Sequence, residues 1–118
     1  MSFNRVQILG NLGHNPEIRY TSSGQAVCNF SVATNESWTD KQGQQQERTT
    51  WLKIVVWGAQ GETCAKYLSK GREVFVEGSL RSHTYEDKEN VKRTVMEVIA
   101  TRVHFIGPNP NDKTADNA

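Results

Sequence analysis

The sequence predicts an all-β fold: a small five-stranded barrel with one short helix between the third and fourth strands and a long hairpin arm. Three observations lead there. Apolar and polar residues alternate with a period of two in runs from Val6 to Ile106, as half-buried strands require. One stretch alone, Gly58 to Gly71, places apolar residues at helical spacing. Asn35 to Arg48 joins two alternating runs but has no apolar face of its own, as expected of a hairpin that leaves the body.

The first strand, Val6 to Leu12, turns Val6, Ile8 and Leu12 inward. Gly10 sits between them, where a curling sheet needs a bend or bulge. Gly13-His14-Asn15-Pro16 breaks the strand, Glu17 to Tyr20 is a short extended segment, and Thr21-Ser22-Ser23-Gly24 is a turn. The second strand, Ala26 to about Thr34, points Ala26, Cys28, Phe30 and Val32 one way. The polar arm follows, with its tip near Lys41-Gln42-Gly43, and leads into the third strand, Thr49 to Trp57. In the helix, Cys64, Tyr67 and Leu68 form an apolar stripe, and Gly71 is the expected stop. The fourth strand, Glu73 to Tyr85, turns Val74, Val76 and Leu80 inward. A charged loop, Glu86 to Asn90, leads to the last strand, about Lys92 to Ile106. Strand, strand, strand, helix, strand, strand is the order of an OB-fold barrel. Residues 1–106 are one domain on this reading. Residues 107–118 have no apolar periodicity and are expected to be a disordered tail or the stub of one.

Composition narrows the function classes. A chain of 118 residues fits one domain. No stretch resembles a signal peptide or a membrane span, which suits a cytoplasmic, nucleoid-associated protein. Cys28 and Cys64 are isolated among apolar neighbours and are expected to be buried free thiols. The three histidines are scattered, so neither a metal nor another cofactor is expected. There is no nucleophile–base pair and no carboxylate pair, and Gly58-Ala59-Gln60-Gly61 lacks the Lys-Ser/Thr of a phosphate loop. No catalytic residue is assigned and an enzyme is not expected. The formal net charge of +1 says little, because a binding surface depends on how charge is distributed.

The informative positions are the three tryptophans. On the third strand Leu52, Ile54 and Val56 form an aliphatic face, while Trp51, Lys53, Val55 and Trp57 form the other. Flat π-surfaces beside a cation suit successive unpaired bases and their phosphates. The competing reading is that both faces are buried and these tryptophans are ordinary core. Trp38 lies on the polar arm, where a core role is harder to argue and a ligand contact competes with packing in the hairpin or between subunits. Val27, Val55, Phe75, Val95 and Ile99 have the parity opposite to the core of their strands, a surplus that suggests a symmetric homo-oligomer.

Ordered segments along most of the chain resemble bacterial-type single-stranded-DNA-binding proteins. They are Leu9-Gly10-Asn11-Leu12-Gly13, Pro16-Glu17-Ile18-Arg19-Tyr20, Ala33-Thr34-Asn35-Glu36-Ser37-Trp38, Thr50-Trp51 through Trp57-Gly58, Tyr67-Leu68-Ser69-Lys70-Gly71 and Val76-Glu77-Gly78-Ser79-Leu80-Arg81. The resemblance implies an OB-fold, a homotetramer, and single-stranded DNA bound without sequence preference during replication, recombination and repair. It implies stacking on Trp38, Trp51, Trp57 and Tyr85, where the last stands in place of a common Trp. It implies basic contacts from Arg5, Lys41, Lys53, Lys70 and Arg81, with Arg48 and His83 as further candidates. It implies recruitment of replication and repair proteins only through a longer acidic tail ending in an aromatic, and the sequence here closes on Asp116-Asn117-Ala118. Two other classes compete. One is a dimeric primosome-type OB protein that mainly bridges partners during replication restart. The other is an RNA-binding OB module.

Overall fold

The structure is a computed structural model that describes residues 1–107, so the tail expected for residues 107–118 lies outside the described residues except for Gly107. The alternation read from the sequence forms β1 (Val6–Leu12), β2 (Glu17–Tyr20), β3 (Ala26–Thr39), β4 (Gln45–Trp57), β5 (Glu73–Glu86) and β6 (Lys92–Ile106), with α1 (Gly58–Tyr67) between β4 and β5. The hydrogen-bonded order is β1-β5-β6-β4-β3-β2, and a further β1–β3 pairing closes the five long strands into the OB-fold barrel. β2 extends the sheet outside the closed ring by pairing with β3. All pairings are antiparallel except β4–β6.

The core is the inward face of each strand: Ile8 and Leu12, then Cys28, Phe30 and Val32, then Ile54 and Val56, then Val74 and Val76, then Val98. Cys64 and Leu68 close it from the helix side. Cys28 and Cys64 are free and buried. Desolvation pushes the Cys28 thiol up to about 11, and desolvation with the neighbouring Cys28 pushes Cys64 to about 12, so both stay protonated and inert.

Two glycines shape the barrel. A side chain at Gly10 would meet the Ala33 carbonyl and Val32, so glycine here permits β1 to lie close to β3. A side chain at Gly78 would strike the Ile99 carbonyl. At this point Glu77 pairs with Arg102 but Gly78 pairs with Ala100, leaving Thr101 as the extra residue of a bulge. The bulge swaps parity along β6, so Val98 and Ala100 on one side, and Val103 and Phe105 on the other, all pack on the core. Gln60 of α1 pins it: its amide donates to the Thr101 carbonyl (3.1 Å) and accepts from the Val103 N–H (2.9 Å).

Some expectations need correction. The helix ends at Tyr67, not Gly71, because Leu68 adopts an extended conformation (φ −92°, ψ 150°) and drops into the core. Tyr67 therefore faces solvent rather than completing the apolar stripe. Gly71, at φ 91°, serves the separate turn into β5. Leu80 is more than one third exposed, since β5 has left the barrel body by that point. The segment 81–86 is exposed throughout and pairs with β6 as far as Glu86↔Lys92, so the fold has a second arm the sequence reading did not anticipate. Among the described residues, no helix is long and apolar enough to cross a membrane.

Candidate nucleic-acid interface

Register decides which side chains share a face. Val27↔Trp57, Asn29↔Val55, Ser31↔Lys53 and Ala33↔Trp51 pair across β3 and β4. Lys53↔Glu97 and Val55↔Ile99 continue across β6. Ser79↔Ile99, Arg81↔Glu97, His83↔Val95 and Tyr85↔Arg93 carry the same face onto β5. Directly paired residues point to one side of a sheet. Trp57, Lys53, Trp51, Arg81, His83 and Tyr85 therefore lie on one continuous outer face, although they come from distant parts of the sequence.

Exposure separates platform from core. Trp51 is 59% exposed, Tyr85 44%, Trp38 41% and Trp57 37%. None is a buried core residue, so the core reading of the tryptophans does not hold for this chain. Val55, on the same face, is buried beneath its neighbours and is core within one chain. Val27, Phe75, Val95 and Ile99 are half-buried. His83 and Tyr85 stack along their arm with ring centroids 6.4 Å apart and an interplanar angle of 19°. Beside Lys53 lies a small recess of about 120 Å³ lined by His14, Glu17, Asn29, Phe30 and Ser31.

Trp38 belongs to the other face of the β3–β4 ribbon. It has the parity of Val32 and pairs with Gln46, next to the Glu36↔Arg48 pair. The Arg48 guanidinium sits 5.4 Å from its ring centroid, an exposed cation–π contact. Lys41 stands at the tip of this arm. Lys70 lies in the link after α1, where its backbone N–H donates to Asn15 Oδ1 (2.8 Å), beside the β1–β2 turn. Arg5 is engaged elsewhere: it pairs with Glu77 at 3.8 Å, and Glu77 also accepts from Gln7 (3.1 Å) and meets His104 at 3.4 Å. The Gln7 hydrogen bond, then the one from His104, holds the Glu77 carboxyl below its ordinary value, with Arg5 adding to the effect.

The two arm tips are built alike. Asp40 Oδ1 accepts from the N–H groups of Gln42 and Gln44 (both 2.9 Å), and Gly43 takes a positive φ of 78°. Asp87 Oδ1 accepts from Glu89 (2.9 Å) and Val91 (3.0 Å), and Asn90 takes φ 62°. The other carboxylate oxygen of each meets a side chain six residues on: Gln46 at 3.1 Å and Arg93 at 2.9 Å. Lys41 and Lys88 occupy the same position in the two turns. Sequence reasoning named Lys41 and missed Lys88. The signal was present as Asp40-Lys41-Gln42-Gly43 beside Asp87-Lys88-Glu89-Asn90, two turn sequences of one form. Glu97 was missed as well: it is an acid, largely buried, paired in register between Lys53 and Arg81. Among the described residues no group of three or more His, Cys, Asp or Glu is placed to hold a metal.

A closed OB barrel with aromatic and basic side chains exposed across one sheet face defines a class of proteins. The sequence profile of the single-strand binding protein family matches residues 3–106, and the chain belongs to that family. A single-stranded DNA-binding protein of Neisseria meningitidis serogroup A is 43% identical over 107 residues, 91% of this chain and 62% of the relative. Single-stranded DNA-binding protein 1 of Chlorobaculum tepidum is 43% identical over 105 residues, 88% of this chain and 65% of the relative. The chain thus spans less than two thirds of the length of these relatives. Among solved structures, the Plasmodium falciparum SSB in complex with ssDNA superposes with a TM-score of 0.82 at 31% identity, covering 90% of this chain and 96% of that one.

Proposed function

We propose that this chain binds single-stranded DNA without reading its sequence, and so coats and protects it during replication, recombination and repair. The observation that carries this reading is the continuous outer face on which Trp57, Trp51 and Tyr85 alternate with Lys53, Arg81 and His83. Bases stack on the rings, and phosphates meet Lys53 and Arg81. The arms extend the path: Trp38 with Arg48 and Lys41 on one, His83 and Tyr85 with Lys88 on the other. Lys70 lies by the turn that follows β1, and Arg5, half-exposed beside Glu77, stays a candidate phosphate contact. Nothing in this mechanism makes or breaks a covalent bond, so the protein acts as a binder and not as an enzyme.

In this reading the protein works as a homotetramer in the cytoplasm, associated with the nucleoid. The outer residues Leu9 and Phe75, next to Glu77 and His104, offer apolar surface that a second copy can cover. Recruitment of replication and repair proteins is proposed only for a native chain that carries a longer acidic tail. Binding of equal-length oligo-dT, mixed-sequence DNA, RNA and duplex DNA tests the reading. Similar affinity for the two single-stranded DNAs and weak duplex binding support it. Preference for duplex would end it, and preference for RNA would move it to the RNA-binding class.

A further inference from the structure

Trp51 is well exposed, yet its indole has a defined seat. β1 ends at Leu12, and the Gly13 N–H then donates to the Ser31 carbonyl (3.1 Å), which holds the turn against β3. Ala33 lies beside Trp51 on one side and beside Asn11 on the other. The ring therefore runs from β4 across the small Ala33, and the outer edge of its six-membered ring ends against Gly13. A methyl group added at Gly13 would fall on Cζ3 and Cη2 of the indole, with Cε3 next nearest, all atoms of the six-membered ring. Gly13 does not occupy the left-handed region, so its backbone makes no demand for glycine. The demand comes from the ring beside it. Gly10 completes the arrangement, because its missing side chain lets β1 approach β3 and bring Gly13 to the ring's edge.

We propose that Gly13 is a positioning residue for Trp51: its bare Cα makes room for the outer edge of the six-membered ring, which fixes the indole's orientation and leaves a ring face open to a base. The proposal rests on the stacking reading above and deepens it. A ring already fixed in its stacking orientation loses less freedom when a base arrives than one that samples several rotamers. Gly13 touches no ligand in this scheme and acts only through Trp51.

The test is Gly13→Ala, read in three ways. Affinity for oligo-dT should fall about 3- to 10-fold, part of what losing a whole stacked base would remove. Melting temperature should hold or rise, because alanine restricts the unfolded chain where the native backbone tolerates it. With Trp38→Phe and Trp57→Phe as background, Trp51 is the sole fluorophore of the three tryptophans. Gly13→Ala should then shift its emission to the red and raise its quenching by acrylamide. In a Trp51→Phe background the outer ring is gone, and Gly13→Ala should leave affinity nearly unchanged. Unchanged Trp51 emission and quenching would overturn the proposal. So would an equal affinity loss in the Trp51→Phe background. If Gly13→Ala fails to fold, adding Trp51→Phe should restore folding, and failure to do so also overturns it. If the unsubstituted chain does not bind oligo-dT at all, the stacking reading fails, while the emission measurement still decides the seat.

Discussion

Trp51 is the residue on which the account depends most. It adjoins Lys53 on the same strand face, so one nucleotide can meet a ring and a cation together. Trp51→Ala should weaken oligo-dT binding by about 1–3 kcal/mol, the range for losing one stacked base. Trp38 and Trp57 should follow, with Tyr85 contributing less because its ring is smaller. Truncating a core tryptophan removes roughly 3–5 kcal/mol of stability. Trp51 is 59% exposed, so Trp51→Ala should melt close to the unsubstituted chain, which differential scanning fluorimetry can check. Glu97 acts in the opposite direction. It lies in register between Lys53 and Arg81 without an ion pair to either, and its negative charge should oppose phosphate at that point of the face. Glu97→Gln should tighten binding by about 2- to 5-fold at low salt, and the gain should shrink as salt screens the charges. Weaker binding after this change, with melting intact, would show that Glu97 helps to hold the cations in place.

At the scale of elements, the two arms depend on buttressed turns. Backbone N–H groups, that of Gln44 foremost, hold the Asp40 carboxyl below its ordinary value of 3.8. Arg93, then the Val91 N–H, does the same for Asp87. A carboxylate with a lowered folded value binds fewer protons in the folded than in the unfolded chain around its ordinary value. Its contribution is fully present above that ordinary value and is lost as pH falls through the folded one. Melting temperature should therefore be flat near neutrality and fall once pH drops below the 3.8 to 4.5 range of Asp40, Asp87 and Glu77. Asp87→Asn should remove part of that acid dependence. Most elements were legible in the sequence because period-two alternation survives wherever one strand face is buried. The second arm was not, since segment 81–86 is polar on both faces and a solvated ribbon carries no burial signal. The helix end was missed because Leu68 is apolar whether it continues a helix or leaves it for the core. The parity switch at Thr101 was hidden because a bulge is set by its partner strand, here through Gly78. The outer-face aromatics could be named from one strand. Their union with Arg81, His83 and Tyr85 depended on the parallel β4–β6 pairing, which no local pattern encodes.

The whole molecule should be larger than one chain. Half-buried Phe75 and exposed Leu9 are paired in register on the outer face, an apolar patch that a second copy should cover. Light scattering at micromolar concentration should give four times the chain mass of 13.3 kDa, and a monomer there would remove the homotetramer. With a formal net charge of +1, the chain should draw its affinity more from stacking than from phosphate neutralisation. The slope of log K against log salt is about −0.7 for each phosphate neutralised on a single strand. Titrating the intrinsic tryptophan fluorescence with oligo-dT at several salt concentrations tests the central claim most directly. Strong quenching, saturation at a fixed nucleotide ratio and a shallow salt slope are the predicted result. Tryptophan emission that stays unchanged while oligo-dT binds, or binding that vanishes at modest salt, would contradict the stacking face.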